Sequence, residues 1–146
     1  MISAQLFDGL LRPIEHALAE IGYVRKPTGV KVRETTEFEY LDAQWINSIA
    51  GLRVFLSYGI DRRDKFRSFA VFLFDRTNRS IDLEAAARQI NSALGDVFRV
   101  GHPDEPEAAL VEQFTTEFAN RVVPAVMDLL RGRRWPEVPN PWDDYR

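Results

Sequence analysis

A chain of 146 residues with 45% hydrophobic and 28% charged side chains has the size of one domain and the composition of a globular protein with a real core. Its formal charge of −3 gives no overall attraction to nucleic acid, whose binding relies on Lys and Arg neutralising phosphates, so nucleic acid is not an expected partner. With no cysteine there are no disulfides, no thiol nucleophile and no thiolate metal ligand.

No apolar run approaches the roughly 18 residues that a membrane span needs, so no membrane association is expected. The opening MISAQLFDGLL lacks the basic start and unbroken apolar core of a signal peptide, and the cytoplasm is the expected compartment. Sixteen of the nineteen basic residues are arginine, a bias we attribute to codon usage rather than to guanidinium-specific contacts.

Ser3 is placed to cap a helix whose apolar positions, from Leu6 and Phe7 through Leu10, Leu11 and Ile14 to Leu18 and Ile21, recur at helical spacing. Pro13 falls inside this stripe and predicts either a kink or a division, with the main helix starting at the proline. Gly22 suits the position after a helix end, and residues 25–29 read as a loop. Two readings compete over 30–47. Val30, Val32, Thr35, Phe38 and Tyr40 favour one or two strands. Thr36 with Glu39 instead makes a capping box ahead of Leu41, Trp45 and Ile49 at helical spacing. We prefer the strand reading.

The most apolar stretch runs from Leu52 to Asp75 and reads as a hairpin. In its first strand Leu52, Val54, Leu56, Tyr58 and Ile60 share one face, while Arg53, Phe55, Ser57 and Gly59 share the other. In its second strand Phe69, Val71 and Leu73 oppose Ala70, Phe72 and Phe74. Apolarity on both sides predicts an interior strand with both faces at least partly covered. The tip, Asp61 to Lys65, is fully charged.

Beyond the hairpin, residues 76–80 read as a turn cluster, and Ser80 or Asp82 as the cap of a helix stopped by Gly95. Residues 101–106 read as a loop, with Asp104 and Glu107 offering a second capping box. A long helix with Leu110, Phe114, Phe118, Val122, Val126, Met127 and Leu130 on one face follows; Pro124 should kink or divide it near Asn120, and Gly132 should end it. The last residues, RRWPEVPNPWDDYR, combine three prolines with Trp135 and Trp142. They read as an extended tail whose tryptophans dock in cis or on a partner subunit.

Candidate chemistry is sparse. His16 and His102 stand apart, with no spacing that assembles zinc ligands, so no metal and no cofactor is expected. No GxSxG elbow or phosphate loop occurs, and the pairs Asp61/Asp64 and Asp143/Asp144 sit in a turn and a tail open to water, so no catalytic residue is assigned. The basic group Arg62, Arg63, Lys65 and Arg67 at the hairpin tip is interleaved with Asp61 and Asp64, which cancels much of its field. These four, with Trp135 and Trp142, are the candidate interaction residues.

The helix ending in EIGYVRKPTG, followed by a sheet segment reaching LRVFLSYGI, resembles small bacterial domain-of-unknown-function proteins. In those a helix ending in a Leu-Gly-Phe-type motif precedes an antiparallel meander, and some members are suspected immunity or interaction proteins. The likeness covers Leu6 to Ile60 and rests on Gly22, Tyr23 and the strand pattern, although the motif here is Ile-Gly-Tyr and the tail is not part of the pattern. It implies an interaction role and carries over no catalytic residue.

The expected architecture is therefore α+β: one domain over residues 1–132, with an antiparallel meander of three or four strands. An N-terminal helix and two C-terminal helices pack mainly on one face, and a tail follows over 133–146. The expected function is non-enzymatic binding of a protein partner, with homodimerisation as one form of it. The alternative is a small-molecule or enzymatic site in an aromatic pocket lined by Tyr40, Trp45, Tyr58 and Phe72.

Overall fold

The structure is a computed structural model that describes residues 1–98 and 104–133. Its frame is an antiparallel sheet in which β3 (Phe38–Asn47), β4 (Leu52–Asp61), β5 (Arg67–Phe74) and the short β6 (Ser80–Asp82) follow one another as a meander. The outer side of β3 is shared by two short strands: β1 (Val24–Arg25) pairs with its end, and β2 (Lys31–Glu34) with its start. Residues 30–47 thus resolve in favour of strands, and Thr36 and Glu39 form no helix cap. Thr35 instead closes the β2–β3 turn, its hydroxyl accepting from the Phe38 N–H at 3.0 Å.

Register places Trp45 opposite Val54, Ala43 opposite Leu56 and Leu41 opposite Tyr58, and these rows continue into Leu73, Val71 and Phe69 of β5. All nine side chains are buried and form one face of the sheet. The helices cover that face. At the N-terminus, α1 (Ala4–Leu10) is capped by Ser3, and α2 (Arg12–Ala19) begins with Pro13 in its first turn, so proline divides the helix rather than kinking it. Phe7 stacks on Tyr58 at 5.7 Å, Tyr58 on Phe69 at 4.9 Å, and Phe69 on Phe114 at 4.0 Å. One chain of rings therefore links the first helix, two strands and α4 (Glu107–Glu117).

Gly22, at φ +95°, turns the chain out of α2 in a conformation that favours glycine. Beside it Tyr23 is buried, and its hydroxyl donates to the Leu130 carbonyl at 2.7 Å. The Ile-Gly-Tyr motif thus closes one helix and ties it to another.

Several details depart from the sequence reading. Residues 24–25 pair as β1 although the loop reading began at Arg25, and residues 80–82 form β6 before the next helix starts. Asp82 then caps α3 (Leu83–Ile90), accepting from the Glu84 N–H at 2.9 Å. Gly95 does not stop α3: that helix ends at Ile90, and Gly95 lies within a 3₁₀ segment, Ser92–Phe98, under the Arg88 side chain. The Asp104–Glu107 capping box does not form. Pro106 occupies the cap position without a side-chain bond, because Glu107 accepts instead from the Tyr58 hydroxyl at 2.6 Å.

Pro124 acts as expected. Lacking an N–H to offer the Asn120 carbonyl, it is preceded by a π-helical turn, Phe118–Val122. The chain continues as α5 (Val123–Ala125) and α6 (Met127–Leu130), and Gly132 ends it at φ +84°. No helix among the described residues is long and apolar enough to cross a membrane.

Candidate interaction surface

The opposite face of the sheet is built from the alternate residues of the same strands. Register groups them into rows: Val24, Ile46, Arg53 and Phe74 at the end near the β3–β4 turn; then Gln44, Phe55, Phe72 and Asp82; then Asp42, Ser57 and Ala70; then Arg33, Tyr40, Gly59 and Ser68. Phe74 joins Phe55 and Phe72, with ring centroids 6.4 and 6.3 Å away. The Arg53 guanidinium lies over Phe74 at 4.8 Å. Beside them the cross-strand pair Val24 and Ile46 is 71% and 36% exposed. Phe55, Phe72 and Phe74 are themselves half-buried, and the ring-stacking chain from the described helices runs on the other side of the sheet. Half of this face is an aromatic patch, and the other half is polar.

The polar half is internally satisfied. Asp42 is buried and accepts from the Ser57 hydroxyl at 2.7 Å and from Arg33 Nε at 2.9 Å. The bond to Asp42, set against a smaller cost of burial, raises the Arg33 pKa, and the same guanidinium stacks on Tyr40 at 3.9 Å. Tyr40 in turn lies flat across Gly59, where a Cβ would come within 2.8 Å of its ring. That close approach is why the strand carries a glycine there. A carboxylate held by two donors in this way ties β3 to β2 and to β4.

At the aromatic end of the face a shallow groove runs between the β3–β4 turn and the β5–β6 turn, lined by Ile46, Ser48, Gly51, Arg53, Phe74 and Arg76 among others. Arg76 reaches across to donate to the Ser48 carbonyl at 3.1 Å. Asp75 shapes the second turn by accepting from the N–H of Thr77 and of Arg79, each at 2.9 Å.

The charged hairpin tip disperses. Arg62 pairs with Glu34 at 3.2 Å and with Glu39 at 3.6 Å, while Arg63 points into solvent, 85% exposed, 4.0 Å from Glu37. Lys65 sits at φ +61° within the turn, and Arg67 donates to the Glu105 carbonyl at 3.0 Å. Arg62, Lys65 and Arg67 do face a common cleft together with Met1, and Glu39 and Glu107 in its lining offset part of their charge. Trp135 and Trp142 lie outside the described residues.

Trp45 and Tyr58 are buried under the helices, whereas Tyr40 and Phe72 are on the opposite face, so the four do not line one pocket. Burial also holds the Tyr58 hydroxyl well above the usual phenol pKa, reinforced by its bond to Glu107. His16 is exposed on α2, and His102 lies outside the described residues.

The chain matches no protein-family model, no curated protein and no solved structure. No family is shown. The surface must be read from its own residues, and the ones that define it, Phe55, Phe74, Arg53 and Ile46, are not among the candidates named from sequence. Of these, Phe74 alone had a signal, the two-sided apolarity of the second hairpin strand.

Proposed function

We propose that this protein is a non-enzymatic binding protein of the cytoplasm that engages a protein partner through the aromatic end of this second sheet face. The observation that carries this reading is the cluster Phe55, Phe72 and Phe74, continued by the exposed Ile46 and Val24, on the side of the sheet away from the Phe7–Tyr58–Phe69–Phe114 ring chain. Clustered aromatic side chains with an arginine over one ring, next to the tied Asp42, Ser57 and Arg33, are the composition of an interface centre rather than of a reaction site. The hairpin-tip arginines contribute rim charge, since their acidic neighbours already take much of their pairing capacity.

The test is a photo-reactive benzophenone side chain introduced at Phe72 and, as a control, at the exposed helix position Glu112, with irradiation in living cells. The expected result is one recurrent foreign polypeptide attached at position 72 and not at 112. Equal labelling at both positions, or none at 72, overturns the reading.

A further inference from the structure

Most described arginines, from Arg25 beside Asp8 to Arg133 beside Asp128, lie within 4.0 Å of a carboxylate. Arg53, Arg76 and Arg131 do not, and all three gather around the β3–β4 turn. Arg12, on α2, also has no acidic partner among the described residues, but it lines neither of the grooves there.

Residues 48–51 carry the chain from β3 into β4, and a groove lies on each side of them. The first, toward the β5–β6 turn, holds Arg53 and Arg76. The second is lined by Ile21, Ala50 and Arg131, with Ile49 at its rim, 96% exposed. No acidic side chain lines the second groove. Asp75 lines the first, but its carboxylate is taken up inside its own turn by the Thr77 N–H, the Thr77 hydroxyl and the Arg79 N–H.

The two guanidiniums of the first groove are held in place. Arg53 of β4 lies over the ring of Phe74, at the end of β5, and its Nε is buried without a hydrogen-bond partner. Arg76, just beyond β5, crosses the other way. It donates to the Ser48 carbonyl at 3.1 Å and lies across Gly51, where a Cβ would come within 2.5 Å of its Nε. A positioned guanidinium loses little freedom on binding, and its planar fork matches a carboxylate. The covered Nε leaves the Arg53 charge partly desolvated and uncompensated, which favours an anion beside it.

We propose that the grooves flanking the β3–β4 turn receive an acidic segment of the protein partner, with carboxylates at Arg53 and Arg76 and at Arg131 and an apolar side chain against Ile49. The inference rests on the reading of the adjoining aromatic face as the interaction surface, and it supplies the partner's chemistry. The chain as a whole carries −3, so it draws in no polyanion from a distance. Its unpaired arginines stand among Ile46, Ile49 and Phe74, a mixture that suits carboxylates set between apolar side chains better than a phosphate backbone. A second copy meeting this turn across a two-fold axis would set the same arginines against each other.

The experiment passes a random peptide library over the immobilised full-length chain. Selected peptides are expected to be rich in glutamate and aspartate. The tightest of them, made singly, is expected to lose about tenfold or more in affinity toward Arg53→Gln with Arg76→Gln, as close charge pairs do. Arg12→Gln with Arg63→Gln removes as much charge away from the turn and is expected to change the affinity by less than about twofold. Arg76 is exposed in its turn, so Arg76→Gln is also made alone, with a loss of about threefold or more expected, and it carries the test should the double variant fail to fold.

Selection without acidic enrichment, or equal losses in the two double variants, overturns the proposal, as does an unchanged affinity toward Arg76→Gln. A random-sequence RNA oligonucleotide that binds through the same arginines overturns it too, and so does retention of a labelled second copy that the Arg53 and Arg76 changes abolish. Acidic selection through these arginines with no polypeptide captured at Phe72 in cells keeps this site and removes the reading of the aromatic face. Capture at Phe72 without acidic selection does the reverse.

Discussion

Asp75 carries more of the β5–β6 connection than its position in an exposed turn suggests. Its carboxylate accepts from the Thr77 N–H at 2.9 Å, the Thr77 hydroxyl at 2.7 Å and the Arg79 N–H at 2.9 Å. Partial burial works to raise its pKa, but these hydrogen bonds outweigh it and hold the group below the usual carboxylate range. A folded pKa below the unfolded one stabilises the fold above the unfolded value, and that contribution is lost as pH falls through the folded value. Asp75→Asn removes the charge and keeps the shape. It should cost about 1 kcal/mol at pH 7, the scale of a charge-assisted bond reduced to a neutral one. The gap to the unaltered protein should narrow as pH falls through the lowered folded value of Asp75, where its charge is lost. Urea melts at pH 7 and pH 2.5 check this, and a pH-independent gap would disprove it. Burial pushes Asp82 and Glu84 upward instead, so each weakens the fold as pH rises through its raised value, against the trend set by Asp75.

At the scale of elements, joints matter more than lengths. The side chain of Asn47, at the end of β3, donates to the Ile21 carbonyl at 3.0 Å and accepts from the Ala50 N–H at 3.0 Å. One buried amide thus fastens the end of α2 to the β3–β4 turn, directly above Gly22. Asn47→Ala should cost about 1–3 kcal/mol, because it orphans two backbone groups. Gly22→Ala meets both the positive φ and the Asn47 amide, 3.1 Å from its new Cβ. The double variant should therefore be less unstable than the sum of the two, by about 0.5 kcal/mol or more in a denaturant double-mutant cycle. Strict additivity would mean that the contact is not felt.

Caps and breakers such as Ser3, Pro13, Gly22, Pro124 and Gly132 were legible in sequence because each acts on its own few residues. β1 and β6 were not, since two or three residues carry no periodicity and owe their pairing to β3 and β5. The missing cap at α4 has the same origin. Glu107 was drawn off by Tyr58, 49 positions away, which no local pattern contains. The candidate surface was half legible: alternation set Phe72 and Phe74 on one side, but only the packing of Phe7 and Phe114 shows which side the ring chain covers.

Across the whole molecule, the consequence of one helix layer on one sheet is a division between neighbours in the chain. Leu56 faces the helices and is fully buried, while Phe55, one residue earlier, faces the aromatic surface. β4 is also the best-held strand, with ten registered partners in β3 and eight in β5, whereas the four residues of β2 are all exposed at the edge. Amide exchange under native conditions should therefore be slowest in the centre of β4, opening only with global unfolding, and fastest in β2, which can fray alone. Leu56→Asp places an unpaired charge in the core and should abolish this protection throughout. Phe55→Asp should leave the order of exchange unchanged, because the residue it alters belongs to the interaction surface and to whatever lies on it. Hydrogen–deuterium exchange on the two variants decides the matter. Equal collapse of both would show that the second face is as much core as the first, and the division of labour between the two sides of this sheet would fail.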